Sequence, residues 1–226
     1  YLIVGSGFAE AFHMRWFWRA RPGDDVFLRS ACSSLTGFAL SGPRARDLLQ
    51  KLVDFDASDD AFRFFAVREA AAGMSPSIIQ RCGFTGELGY EIWTTPDYQL
   101  QLYEDILAAG EEFGLSLYGG RALSCLRLEK SYGSFNRDFR PDYTPGESGL
   151  GRFVDFDKPD FVGKAAVTTE REKGAARRFV TLMVEAPHAD AVGYEAVLKE
   201  GEPVGHVTSG GFGHRVGKSL AVGYVP

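Results

Sequence analysis

Apolar residues recur at helical spacing in three stretches, and each stretch is preceded by helix punctuation. Ser41-Gly42-Pro43 places a cap and an early proline ahead of residues 44–53, where Leu48, Leu49 and Leu52 form one stripe. Thr95-Pro96-Asp97 does the same for residues 98–113, with Leu102, Ile106, Ala109 and Phe113 in register and Gly114 as the stop. The third helix is expected over 121–133, after Gly119-Gly120, with Ala122, Leu123, Leu126 and Lys130 as its buried stripe. Strand-like runs occupy 35–40, 63–69, 77–84 and 87–93. Helices and short strands without steady alternation predict an α+β fold and not a doubly wound sheet. After about residue 155 the texture changes to short strand-like runs between glycine-rich turns, as in RRFVTLMVE and KSLAVGYV, which predicts a small β-barrel or sandwich. The segment REKGAARR at 171–178 reads as a solvated linker.

The opening residues YLIVGSGFAEAF have the outline of a dinucleotide-binding turn, a strand-like run followed by Gly5-Ser6-Gly7 and a helical segment. That fingerprint needs glycine or alanine three residues after its second glycine, where helix and strand pack closely, and here the position is Glu10. Its carboxylate would also repel a pyrophosphate. The aromatic run with Phe12, Trp16, Phe17 and Trp18 is too bulky for such a first helix, so an ordinary strand-turn-helix junction is expected.

Composition narrows the classes further. With 226 residues and 45% apolar content the chain can bury a real core. Its 25 lysines and arginines against 30 acids give a formal net charge of -5, which provides no general field for nucleic acid or an anionic membrane surface. No run reaches the roughly 18–20 apolar residues of a membrane span, and no secretory leader is present. Cys32, Cys82 and Cys125 form no CxxC pair, so a reducing compartment is expected, and the scattered His13, His188, His206 and His214 have no metal-ligand spacing. The chain begins without methionine inside a strand-like run and ends just after another, which reads as a piece of a longer protein.

Three segments carry candidate chemistry. In GFTGELGYEIW, residues 83–93, a strand over 87–93 turns Leu88, Tyr90 and Ile92 to one side and Gly89, Glu91 and Trp93 to the other. A bare glycine, a carboxylate and an indole suit a flat ligand with an amino-pyrimidine-like edge, and the same residues also suit a surface glutamate beside a structural tryptophan. Arg121 falls in the first turn of its helix, where the macrodipole disfavours a cation. It therefore calls for an anion, either a ligand carboxylate or phosphate or a neighbouring acid such as Glu111 or Glu112. Residues 136–166 predict a long ordered connection, with Asp138 and Asp142 as an acid pair or as solvated loop residues.

GFTGELGYE at 83–91, GGRALSCLRLEK at 119–130, YTPGESGLG at 143–151, DFVGKAA at 160–166 and VGHVTSG at 204–210 together resemble the aminomethyltransferase family, the T-protein of the glycine cleavage system and its relatives. Within it, LRLEK and the opening VGSG…MRW are most similar to the C-terminal folate domain of dimethylglycine and sarcosine dehydrogenases and oxidases. The resemblance implies a T-protein-like folate-binding domain over 1–158, its N-terminal part missing, and a partial, truncated β-barrel over 159–226. It implies tetrahydrofolate as cofactor, a one-carbon unit from a methylated amine, and formation of 5,10-methylenetetrahydrofolate. FAD is expected only on an oxidase domain of the same polypeptide preceding Tyr1. The alternatives it leaves are a folate-dependent N-, O- or S-demethylase or aminomethyltransferase, and a non-catalytic folate-binding scaffold. A cytoplasmic location follows, or the mitochondrial matrix in a eukaryote.

By the same resemblance Glu91 grips the pterin ring, with Tyr90 and Trp93 beside it, and Arg121 contributes to the folate site. Aligned on Trp16, His13 stands where the family carries its catalytic aspartate. Three readings follow: His13 serves as the acid-base group, or the alignment slips by one around Phe12, or folate binds with weakened chemistry.

Overall fold

The computed structural model describes residues 1–23 and 25–226, which form two compact units, Tyr1–Leu123 and Ser124–Pro226. The first contains α1 (Glu10–Ala20), β1 (Thr36–Ser41), α2 (Ala45–Leu52), β2 (Val67–Ala72), β3 (Ser75–Gln80), β4 (Gly89–Thr94) and α3 (Gln99–Gly110). The division falls inside α4 (Gly120–Glu129). Four strands form one antiparallel sheet in the order β1-β4-β3-β2.

The period of each element decides which face it buries. On α2 the stripe Ala45, Leu48, Leu49 and Leu52 is buried, and on α3 it is Leu102, Ile106 and Gly110. These helices pack on one another, with α2 against β2 and β4 and α3 against β1. They meet Leu40, Ile79, Tyr90 and Ile92 from one face of the sheet, so the core has two layers. Each fully buried leucine or isoleucine there contributes about 1.5–3 kcal/mol.

The opening run forms no strand. Tyr1, Leu2, Ile3 and Val4 are exposed, and a short 3-10 turn, Gly7–Ala9, leads directly into α1. Every strand pair in both sheets is antiparallel. A dinucleotide turn needs a parallel βαβ unit, so the glycine pair at the start has no such setting. The run expected as a strand over 63–69 is split: Phe65 takes φ 65, which no ladder residue adopts, and β2 starts only at Val67. Its partner is brought forward by a hairpin at Gly73, whose φ of 58 supplies the turn, so β3 covers 75–80 where a strand over 77–84 was expected. Helix α4 ends at Glu129, and its buried residues are Arg127 and Leu128, while Lys130 is exposed.

In the second unit α5 (Lys164–Lys173) precedes β5 (Arg178–Val184), β6 (Ala196–Lys199), β7 (Glu202–Gly213) and β8 (Lys218–Val225). Their antiparallel order is β5-β8-β7-β6. The expected linker 171–178 is therefore the end of a helix and the start of a strand, and Arg177 between them is ion-paired with Glu147. Glycines let β7 and β8 approach: a Cβ at Gly205 would run into the Tyr224 carbonyl, and one at Gly223 into that of His206.

A buried ion pair organises the long connection. Arg127 Nη1 donates to Asp138 Oδ2 at 2.5 Å, with the two side chains 2% and 0% exposed. Ser134 N donates to the same oxygen at 2.7 Å. A register shift between Val207 and Ser209 in β7 turns two successive hydroxyls towards Asp138 Oδ1, Thr208 at 2.5 Å and Ser209 at 2.8 Å. Asp138 and Asp142 accordingly form no acid pair, because Asp142 is exposed and bonded to Arg140.

Candidate functional site

The period-2 alternation of β4 separates its side chains cleanly. Tyr90, Ile92 and Thr94 are at most 1% exposed, whereas Glu91 and Trp93 are half-buried on the opposite face. Tyr90 thus belongs to the core, stacked on Phe62 with ring centroids 5.9 Å apart, and it lies on the other face of the sheet from Glu91. Its part is to hold the strand from behind.

The Glu91 face has small neighbours on its β1 side. Ala39 and Gln80 sit opposite Glu91, and Gly37 and Ile78 sit opposite Trp93. The indole leans over β1 so closely that a Cβ at Gly37 would lie 2.9 Å from its ring. At the other end a Cβ at Gly89 would lie 2.8 Å from the Cys82 carbonyl. Gly37 and Ala39 are exposed, which leaves an open shelf of backbone beside the indole. No ion pair or nitrogen or oxygen donor engages the Glu91 carboxylate among the described residues, its side-chain hydrogen bond being with the Cys82 thiol, and the buried Nε1 of Trp93 lacks a hydrogen-bond partner there too. A half-buried carboxylate with open acceptors next to an aromatic wall fits a planar, hydrogen-bond-donating ring such as the pterin of tetrahydrofolate.

Cys82 was absent from the sequence-based site. It lies two residues beyond Gln80, which faces Glu91, so strand parity puts it on the same side. Burial first, then the Glu91 charge beside it, pushes the thiol up to about 12. A thiol so disfavoured as thiolate is a poor nucleophile. At pH 8 iodoacetamide is therefore expected to alkylate exposed Cys32 about tenfold or more faster than Cys82, with site occupancy read by peptide mass spectrometry.

Arg121 is the second residue of α4 and is exposed. Neither Glu111 nor Glu112 pairs with it; Glu112 is taken by Lys51. No hydrogen bond or ion pair engages the guanidinium among the described residues. His13 lies on α1, half-buried, with its ring against Phe12 and Phe17 at 5.9 and 6.2 Å. A Cβ at Gly5 would lie 3.4 Å from its Nδ1, so the backbone at Gly5 closes one side of the imidazole. No hydrogen bond or ion pair joins Glu91 to Arg121, and the three candidates stand on separate elements, β4, α4 and α1.

The comparisons with known proteins place these features. Residues 1–158 match the GCVT N-terminal domain, and residues 177–226 match the glycine cleavage T-protein C-terminal barrel domain. The chain belongs to the glycine cleavage T-protein family, whose members are folate-dependent aminomethyltransferases and relatives. It is 39% identical over 228 residues to the mitochondrial dimethylglycine dehydrogenase of Rattus norvegicus, covering 100% of this chain and 26% of that protein. It is 34% identical over 227 residues to an aminomethyltransferase of Desulfitobacterium hafniense, covering 100% and 61%. The glycine cleavage system aminomethyltransferase T of Bartonella henselae shares the fold, with a TM-score of 0.70 and 30% identity over 85% of this chain and 52% of that one. The α+β architecture and the C-terminal barrel domain expected from the sequence are those of this family. The chain spans about a quarter of the dimethylglycine dehydrogenases and about three fifths of the aminomethyltransferases it matches. Among the described residues no helix is long and apolar enough to cross a membrane.

Proposed function

We propose that the chain is a tetrahydrofolate-dependent one-carbon transfer domain of a dimethylglycine- or sarcosine-type amine-oxidising enzyme, forming 5,10-methylenetetrahydrofolate. Its folate-binding part runs over 1–158 and its barrel over 159–226, and the FAD oxidase domain belongs to the same longer polypeptide. The observation that carries this reading is the open Glu91 carboxylate flanked by Trp93 and a glycine-lined shelf. Identity to dimethylglycine dehydrogenase over the whole chain supports the oxidase setting. A mitochondrial relative supports a matrix location in a eukaryote, and the cytoplasm is the setting otherwise.

Bound tetrahydrofolate supplies the nitrogen that accepts the one-carbon unit. Glu91 accepts two N–H groups of the pterin edge and Trp93 covers a ring face. Arg121, with no partner among the described residues, would pair with a glutamyl carboxylate. His13, on α1, would take up the proton released at the reacting nitrogen. Matching aminomethyltransferases over the whole chain favours one second reading, a folate-dependent demethylase or aminomethyltransferase without an oxidase partner.

Titration of the chain with tetrahydrofolate tests the reading. One equivalent is expected to bind, about tenfold more weakly in Arg121→Met; absence of saturable binding ends the proposal. His13→Asn is expected to slow methylene transfer from formaldehyde while His13→Asp sustains it. Equal rates in wild type and His13→Asn would leave His13 without an acid-base role and favour a folate-binding scaffold.

A further inference from the structure

A cleft of about 680 Å3 lies within Ser124–Pro226, lined by α5, the start of β5 and the glycine-rich segment 145–156. Its size falls in the range of about 300–1,000 Å3 typical of small-molecule sites. Val154, Phe156, Val167 and Phe179 give it apolar walls. Arg152, Arg171 and Arg178 reach it from three separate segments.

The charges around it are unevenly satisfied. Glu147 is held by Arg177, Nε to Oε1 at 2.9 Å, and that bond keeps its carboxyl below the usual range. Glu170 accepts the Thr144 hydroxyl and the Gly146 N–H, the latter at 3.2 Å. A Cβ at Gly146 would lie 2.5 Å from Glu170 Oε2, so the segment passes close over that carboxylate. By contrast, no hydrogen bond or ion pair engages the side chains of Arg152, Arg171 or Arg178 among the described residues. Arg152 lies over Phe153 at 4.8 Å and Arg171 over Phe156 at 4.5 Å from the ring centroid. Ring contact of this kind steadies a guanidinium while leaving its N–H edge to an oxyanion. With Glu147 matched by Arg177, three cations face one remaining carboxylate, in a chain whose formal net charge is -5.

We infer that this cleft binds an organic oxyanion, a phosphate monoester or a carboxylate borne on an apolar body. The arginines take the oxyanion and the aromatic and valine walls take the body. The inference does not rest on the folate reading, because Glu91 and Arg121 belong to the other unit.

Calorimetric titration of the full chain with phenyl phosphate, benzoate and inorganic phosphate at low salt is the test. At least one aromatic probe is expected to saturate at one per chain, and the tighter of the two identifies the headgroup. Arg171→Met and Arg178→Met are each expected to weaken it about tenfold, and Arg171→Lys to restore part of the loss. Arg140→Met, removing an arginine bonded to Asp142 outside the lining, is expected to change nothing. All three positions are at the surface or half-buried, and circular dichroism of each variant separates a lost site from a lost fold. Failure of both aromatic probes to saturate overturns the inference. Full affinity in a folded Arg171→Met/Arg178→Met variant does the same, and inorganic phosphate binding as tightly as phenyl phosphate removes the apolar body.

Discussion

Asp138→Ala is expected to destabilise the C-terminal unit by about 3–5 kcal/mol, a range set by breaking a buried ion pair from one side. The carboxylate is fully buried and accepts from Arg127, Ser134, Thr208 and Ser209. Its removal leaves a guanidinium that is 2% exposed without its counter-charge, and Ser134 N and Ser209 Oγ without an acceptor, while Thr208 keeps the Val222 carbonyl. Arg127 Nη1 keeps only the Tyr132 carbonyl at 3.0 Å. The neighbouring lattice is also aromatic and rigid: Tyr143 and Tyr224 stack with centroids 3.6 Å apart, and Tyr224 Oη donates to the Asp138 carbonyl at 2.9 Å. Asp138→Asn keeps one acceptor oxygen and is expected to cost less than Ala. Asp138→Leu/Arg127→Met removes both charges, so it is expected to recover part of the loss, though Ser134 N and Ser209 still lose their acceptor. Denaturation followed by near-ultraviolet tyrosine dichroism reads the effect. Trp16, Trp18 and Trp93 all lie in Tyr1–Leu123, so tryptophan emission reports the other unit as an internal control. A loss below about 1 kcal/mol would show that water already shares the site.

This ion pair also marks where local pattern stops being informative. Period-2 alternation is a property of neighbouring residues, so the two faces of β4 and the pairing of Glu91 with Trp93 were legible from seven letters of sequence. The helical stripes of α2 and α3 were legible for the same reason. Asp138, in contrast, acquires its partners from residues 70 and 71 positions away, through a bulge in β7 that no spacing announces. A loop dense in proline, glycine and aspartate made it look solvated. Arg127 was hidden inside an otherwise amphipathic helix, where a buried cation has no period of its own. The opening apolar run misled in the opposite sense: four strand-forming residues make no strand when no ladder receives them. At the site, Tyr90 was expected beside the pterin with Glu91, and only its packing on Phe62 shows that its face is the core. Cys82 was legible in principle, from the parity that puts it beside Gln80 on the Glu91 face, and its shifted thiol depends on burial that sequence does not display.

Glu91→Ala is expected to weaken tetrahydrofolate binding on the order of 100-fold, the loss of two hydrogen bonds to a charged acceptor. The fold should tolerate the change, since Glu91 is half-buried on the face of β4 opposite the core and has no ion pair to break. Glu91→Gln separates charge from shape. It retains one acceptor oxygen but turns the other position into a donor, which faces the donor edge of the pterin and should leave binding nearly as weak as in Ala. Trp93, the tryptophan of β4, provides the direct readout: ligand stacking quenches its emission, and the quench titration is expected to shift with the calorimetric one. Cys82 provides a readout without ligand. With the Glu91 charge gone, one of the causes holding its thiol up disappears, so alkylation of Cys82 should quicken in both variants while burial still keeps it slower than Cys32. A variant that alkylates faster yet binds tetrahydrofolate as wild type does would place Glu91 beside Cys82 as described and move the pterin elsewhere. A variant that loses binding and gains thiol reactivity ties the open carboxylate on β4 to the ligand, since the same charge would then govern both.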